Sequence, residues 1–286
     1  MITDRRTFLR TSLLSLAAAS PAHLIAQNRL PPPPRVSARA CIVIDAVTGQ
    51  ALFQKSPDDR RPVASTQKLL TALIAVESLD LNKVITVQEE ETKTEPHKLY
   101  LKTGEKMPFR SLLYAMLIES FNDAAHCVAR QCAGSVGGFS LFMNRRAAQL
   151  GMTNSRFVTP SGLPAEQQYS TARDMSRLAR AALYNPTIRA IVGRNELTIT
   201  RGDGRTKKLT TTNYLLRPNS SYYMPQCTGM KTGFTNAAGK CLISSATHRG
   251  RTVICVLLGN FGKDKLAVTF RESRAMLQWA LGLTNP

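Results

Sequence analysis

An α/β fold is what this 286-residue sequence predicts. Strand-type apolar stretches occupy its beginning and its final third, segments of helical period dominate the middle, and one more amphipathic helix closes it. β, then mostly α, then β and a last helix is the order expected of one α/β domain carrying a helical insertion. The length gives ample core for a single large domain. No internal repeat and no later domain is visible.

Residues 40–44 and 51–54 read as a β-hairpin around Val47-Thr48-Gly49. Pro62 then introduces a helix over residues 65–79, with Leu69, Leu70, Leu73, Ile74 and Val76 turned inward. Residues 84–87 make a short strand. Residues 111–118 and 124–132 are two helices flanking a short connection, and 139–150 form a third. Thr171-Ala172-Arg173-Asp174 opens a further helix with a side-chain cap; it runs to about residue 183 and stops at Asn185-Pro186. Residues 196–200 are strand-like, and 201–208 form a basic turn. From Gly229 the texture is β, continuing through 239–246 and 251–258, which His248-Arg249-Gly250 joins. The closing helix covers 266–281.

Ahead of the domain, Arg5-Arg6-Thr7-Phe8-Leu9-Arg10 precedes a mildly apolar stretch with alanine-rich cleavage positions near Ala19, Ala22 and Ala26. Residues 1–26 therefore read as an export signal and not as a membrane span. The paired arginines before Phe-Leu resemble a twin-arginine signal. Residues 27–37, containing Pro31-Pro32-Pro33-Pro34, read as a polyproline linker that cannot join a sheet. Residues 38–286 are left as one domain, expected in the periplasm or another extracytoplasmic space. The net charge of +19 favours polyanions such as an acidic wall polymer or an anionic membrane. Lys and Arg are scattered, no nucleic-acid-binding pattern accompanies them, and export argues against a nucleic-acid partner. An even cysteine count in an exported chain invites disulfides. However, Cys41, Cys241 and Cys255 sit inside apolar β runs, and Cys127 and Cys132 do not share a helix face, so free and buried thiols are expected.

Three short motifs carry the chemistry: Ser65-Thr66-Gln67-Lys68, Ser120-Phe121-Asn122 and Lys231-Thr232-Gly233. In order they form S-x-x-K, S-x-N and K-T-G. Ser65 and Lys68 are three apart at a helix start, so their side chains share a face. A serine hydroxyl is a poor nucleophile until a base takes its proton, and lysine is a base only when burial or a nearby cation lowers its pKa. Lys231 is the candidate cation. Alone, S-x-x-K means little, since about one chance match is expected in this length. Ser120 and Asn122 sit between two helices, where helix-end capping is the bland alternative. K-T-G occurs twice. Lys102-Thr103-Gly104 runs into a polar turn, whereas Lys231-Thr232-Gly233 opens the β-rich final third, where Gly233 would allow close backbone approach.

These motifs, with gaps of 55 and 111 residues, resemble those of the low-molecular-mass penicillin-binding proteins, and more narrowly the D-alanyl-D-alanine carboxypeptidase family of serine peptidases. Arg61-Pro62-Val63-Ala64, Ser161-Gly162-Leu163, Tyr169-Ser170-Thr171 and Gly229-Met230 extend the likeness over residues 38–282. The resemblance implies a β-lactamase/transpeptidase-like fold, an antiparallel sheet flanked by helices with a helical subdomain. It implies a D,D-carboxypeptidase acting on peptidoglycan stem peptides, with β-lactams as inhibitors and no cofactor. Ser65 would form the acyl-enzyme with Lys68 as base, Ser120 and Lys231 would relay the proton, and Asn122 would position the peptide. Thr232 and Thr235 would grip the carboxylate beside Gly233, and the N–H groups of Ser65 and Phe234 would form the oxyanion hole. No metal is called for, because His97, His126 and His248 lack ligand spacing. Phe234 stands where relatives often have His, and no anchoring helix follows the domain, so no stable membrane anchor is expected after signal cleavage. A D,D-endopeptidase with the same site, or a non-catalytic wall-binding protein, are the alternatives. Glu166-Gln167-Gln168-Tyr169 does not supply the Glu-x-x-x-Asn pattern of a β-lactamase.

Overall fold

β1 (Ala40–Asp45) turns back into β2 (Ala51–Lys55), the hairpin expected from the alternation around Val47-Thr48-Gly49. The computed structural model describes residues 30–283, so the expected signal and residues 27–29 lie outside the described residues. β3 (Val84–Thr86) and β4 (Lys106–Pro108) form a small ribbon, and β5 (Glu196–Thr200) and β6 (Thr206–Thr210) form another. β7 (Cys227–Thr235), β8 (Gly239–His248) and β9 (Arg251–Asn260) complete a five-stranded sheet in the order β2-β1-β9-β8-β7, with every neighbouring pair antiparallel.

The inner strands are buried on both faces, which is why they read as unbroken apolar runs instead of an alternation. Ile42, Ile44, Ile243, Ile254 and Val256 join the main core. Val43, Val253, Cys255 and Leu257 alternate with core residues along their strands and are equally buried.

The helices are α1 (Lys68–Ser78), α2 (Glu89–Thr92), α3 (Phe109–Tyr114), α4 (Asn122–Ala133), α5 (Val136–Gln149), α6 (Ala172–Tyr184), α7 (Pro186–Val192) and α8 (Lys265–Ala280). α8 lies against β8 and β9, while α6 lies against β9 and β1. Leu69, Leu70 and Leu73 of α1 are buried, each contributing about 2 kcal/mol of apolar transfer. Thr171 caps α6, its hydroxyl accepting from the Asp174 N–H at 3.1 Å.

Four expectations need adjustment. The predicted 65–79 helix begins as a 3₁₀ turn over Ala64–Gln67, and α1 proper starts at Lys68. The 111–118 helix ends in a π turn, Ala115–Glu119, followed by Ser120 in the left-handed region at φ 72°. Asn185-Pro186 ends α6 but also starts α7. Asn185 Oδ1 accepts from the Ile188 N–H at 3.1 Å, and proline suits the first helical position because its missing N–H would have no partner there. The basic turn covers residues 201–205, but its last three residues, 206–208, belong to strand β6, where buried Leu209 sits opposite Leu197 and leaves the lysines outside.

The proline-rich stretch lies outside the sheet, as expected, yet it is tied down. Trp279 Nε1 donates to Pro31 O at 2.6 Å and Lys55 Nζ to Val36 O at 2.8 Å. All six cysteines are unbridged, and five are buried. Among the described residues no helix is long and apolar enough to cross a membrane.

Candidate active site

Edge strand β7 and the 3₁₀ turn before α1 meet at Gly233. A Cβ there would stand 2.9 Å from Ser65 N and 3.0 Å from Ala64 Cβ, so glycine is required for this approach. Gly162 serves the same turn from the other side. Its φ is +83°, and a Cβ would fall 2.1 Å from Ala64 O. The 159–163 loop is tied to the same helix, with Thr71 Oγ1 donating to Pro160 O at 2.7 Å and Gln67 Nε2 donating to Thr159 O.

Lys68 is fully buried at the centre. Its Nζ lies 2.8 Å from Ser65 Oγ, 2.7 Å from Asn122 Oδ1, 2.9 Å from Ser161 O and 3.4 Å from Ser120 Oγ. An ammonium has three protons for these four oxygens, whereas a neutral amine has a lone pair to accept the Ser65 proton. Burial depresses the Lys68 pKa well below the usual lysine range, and the charge of Lys231 pushes it the same way, while Asp123 opposes them. Lys231, also buried, is itself lowered to about 7 by desolvation and then by Lys240. The packing therefore favours the neutral, basic form of Lys68 over its ammonium.

Ser65, Ser120, Asn122, Thr232, Gly233, Phe234 and Thr235 all line one cleft of about 540 Å³. Lys68 lies beneath it. Lys231 is buried too, but its ammonium donates to Thr232 O at 3.0 Å, and no hydrogen bond joins it to Ser120. The Asn122 amide faces inward: Oδ1 receives Lys68, and Nδ2 donates to Pro96 O. Thr232 Oγ1 is 2.6 Å from Thr212 Oγ1, and Thr235 Oγ1 accepts from the Ala238 N–H at 3.0 Å. The other K-T-G copy is a turn, with Glu105 N–H donating to Lys102 O at 2.9 Å.

Sequence reasoning passed over several contributors. Ser161 offers its carbonyl to Lys68, Thr212 partners Thr232, and Pro96, His97 and Lys240 line the cleft. The His97 ring stacks on Phe121 with centroids 4.9 Å apart. Asp123 anchors this rim by accepting the N–H groups of Leu99 at 2.9 Å and Leu101 at 3.3 Å. Only Ser161-Gly162-Leu163 carried a signal, the glycine. A slightly larger cleft of about 570 Å³, lined by Ala46, Leu183, Arg189 and Thr228, lies away from Ser65 and Lys68. Among the described residues no cluster of His, Cys, Asp and Glu could hold a metal ion.

A buried lysine beside a serine at the mouth of a cleft, flanked by a K-T-G edge strand, defines a serine acyl-transferring enzyme. The sequence profile of the D-alanyl-D-alanine carboxypeptidase family matches residues 27–262, and the chain belongs to that family of serine peptidases. A D-alanyl-D-alanine carboxypeptidase of Mycobacterium tuberculosis is 32% identical over 257 residues, covering 89% of this chain and 86% of the relative. A D-alanyl-D-alanine endopeptidase of Pseudomonas aeruginosa is 34% identical over 276 residues, covering 95% and 85%. A carboxypeptidase of Bacillus subtilis is 31% identical, but the chain spans only 57% of its length. Among solved structures, a carboxypeptidase of Mycobacterium tuberculosis superposes with a TM-score of 0.81 at 30% identity, covering 89% of this chain and 94% of the other. The β-lactamase/transpeptidase-like fold is thereby established.

Proposed function

We propose that this protein is a serine-type D,D-carboxypeptidase that removes the terminal D-alanine from peptidoglycan pentapeptide stems. The observation that carries this reading is the buried Lys68 Nζ, 2.8 Å from Ser65 Oγ, within a family of D-alanyl-D-alanine carboxypeptidases. Ser65 Oγ attacks the carbonyl of the penultimate residue as its proton passes to neutral Lys68. The N–H groups of Ser65 and Phe234 receive the developing oxyanion. Ser120, 3.4 Å from Lys68, passes the proton to the leaving amine, and the C–N bond breaks. Lys68 then draws a proton from water, which attacks the ester and frees the shortened peptide. Lys231, Thr232 and Thr235 attract the terminal carboxylate, and Asn122 holds Lys68 in place as well as the peptide. A β-lactam enters by the same acylation, but its leaving nitrogen stays tethered and blocks water.

The wall polymer is extracytoplasmic, and the Arg5-Arg6 segment supports export of the chain through a twin-arginine signal over residues 1–26. Residues 27–37 act as a linker to a catalytic domain over 38–286. A second reading, a D,D-endopeptidase that cuts cross-links, is favoured by the likeness to the Pseudomonas aeruginosa endopeptidase over 95% of this chain.

The test is incubation of the mature protein, beside Ser65→Ala, with pentapeptide monomers and cross-linked dimers, read by mass spectrometry. Loss of one alanine from monomers, with the variant inactive, supports the carboxypeptidase. Dimers falling to monomers would make it an endopeptidase. Inertness toward both would sink the enzymatic reading for these substrates and bring the wall-binding alternative forward.

A further inference from the structure

A basic pocket at the end of the sheet, beside the catalytic cleft, has no part in the mechanism. It measures about 430 Å³, and its lining includes Arg39 before β1, Lys55 at the end of β2, Asp59 and Arg61 ahead of the Ser65 turn, and Asn260 and Phe261 where β9 ends. Three cations there face one lining carboxylate. Arg61 Nη2 donates to Asp59 Oδ2 at 3.1 Å, and Arg61 Nε is buried with no hydrogen-bond partner. Lys55 Nζ donates to Val36 O at 2.8 Å, which occupies one of its three protons. Arg39 is exposed, and its guanidinium makes no hydrogen bond or ion pair among the described residues. Glu272, behind the pocket, is already engaged by the Ser37 N–H and by Asn260 Nδ2 at 3.2 Å. Arginine forks with donors to spare match a carboxylate through two parallel hydrogen bonds. Asp59 is half-exposed, and an ion pair of that kind is weak enough for a ligand acid to compete with it.

The distance of this pocket from Ser65 says which part of a substrate reaches it. The cleft lies on β7 and the pocket at the end of β9, two strand spacings away across β8, or about 10 Å. Both open at the same end of the sheet, where Lys240 of the cleft pairs with Asn260 of the pocket. Phe234 in the cleft and Phe261 in the pocket are both half-exposed and offer apolar surface to a chain passing between them. A carboxypeptidase releases a single residue, so a contact about 10 Å from the nucleophile belongs to the acyl part of the substrate. At about 3.3 Å per extended residue, that contact falls three residues upstream of the reacting carbonyl.

We propose that the pocket of Arg39, Lys55 and Arg61 is a substrate subsite that binds a carboxylate carried about three residues upstream of the cleaved D-alanyl-D-alanine bond. This assignment rests on the D,D-carboxypeptidase reading and leaves the terminal D-alanine as the leaving group. It gives the active site a preferred substrate class, stem peptides that are acidic on their acyl side. The net charge of +19 attracts any acid, whereas the subsite rewards an acid at one position.

The experiment follows D-alanine release from three acetylated peptides ending in D-Ala-D-Ala. The first carries glutamate three residues before the penultimate D-alanine, the second glutamine at that place, and the third glutamate immediately before that D-alanine. Wild type is expected to show kcat/KM about tenfold higher for the first than for the second, the gain typical of one charge-assisted hydrogen bond. Most of that gain should be missing from the third. Arg39→Gln and Arg61→Gln should each reduce the ratio of first to second, and together bring it to about one. Thermal unfolding checks the fold of each variant, and the ratio between peptides is insensitive to a general loss of activity. A wild-type ratio near one, or a ratio kept in the double variant, overturns the assignment. So does an equal gain for the third peptide, which would mark diffuse attraction by the net charge, or a loss in the variants that is equal for all peptides. Failure of wild type to cleave any of them would instead remove the peptidase reading, and this assignment with it.

Discussion

Gly162→Ala is expected to cripple acylation of Ser65 without touching any group that contacts substrate. The new methyl carbon would lie 2.1 Å from Ala64 O and 2.4 Å from Ala64 C, and both are backbone atoms that no rotamer change can move. Real Cβ contacts essentially never fall below 3.0 Å, so the turn carrying Ser65 or the 159–163 loop must shift by about 1 Å. An L-residue at φ +83° costs about 1–2 kcal/mol, and forcing extra volume into a packed site costs about 1–3 more. Together these predict a loss of about 2–5 kcal/mol, or about 5–15 °C in Tm for a domain of this size. A displacement of about 1 Å at the reacting atom is worth roughly a hundredfold in rate. The assay is the second-order rate of acylation by a fluorescent penicillin, with calorimetric Tm alongside. Gly137→Ala in α5, where nothing lies within 4 Å of the added carbon, is the matched control and should raise stability by about 0.5–1 kcal/mol. A Gly162→Ala protein that acylates within about threefold of wild type and melts at the same temperature refutes this account of the Ser65 turn.

Lys231→Gln removes a positive charge that lowers the Lys68 pKa, so Lys68 should titrate higher and the ascending limb of the acylation pH profile should move to higher pH. Because Lys231 itself sits at about 7, its charge is present mainly below that pH, and the loss relative to wild type should be larger at pH 6 than at pH 9; equal losses would contradict the coupling. Asp123→Asn should move the same limb the other way, since the carboxylate raises Lys68, and weakening its bonds to the Leu99 and Leu101 N–H groups should destabilise by about 1–3 kcal/mol in denaturant titration. Thr212→Val takes away the hydroxyl 2.6 Å from Thr232 Oγ1 and should raise KM for carboxylate-ended peptides about tenfold, and an unchanged KM would show that Thr212 does not orient Thr232.

Ser65 and Lys68 were legible because a separation of three on one helical turn is a local relation, and the turn does hold them 2.8 Å apart. The second K-T-G was separable from the first because its surroundings read as strand, and it lies on β7. The terminal hairpin and the β8–β9 pair followed from short-range alternation and turn residues. Pro186 and residues 206–208 were read less well. A proline both stops one helix and starts the next, and lysines on an exposed ribbon resemble those of a turn.

What the sequence determined by itself is the chemistry available: a serine, two lysines, a second serine and an asparagine in motifs whose order and spacing mark one serine peptidase family. Periodicity, turn preference and motif spacing act over a few residues, so one chain suffices to read them. Only the tertiary structure decided how that chemistry is tuned. It buries Lys68 against Ser161 O, 93 residues away, sets Thr212 on Thr232, and turns the Asn122 amide inward. It also brings Lys240, an ordinary lysine in the sequence, to the lining of the cleft. Desolvation and charge proximity arise from packing between distant segments, and no local pattern encodes them.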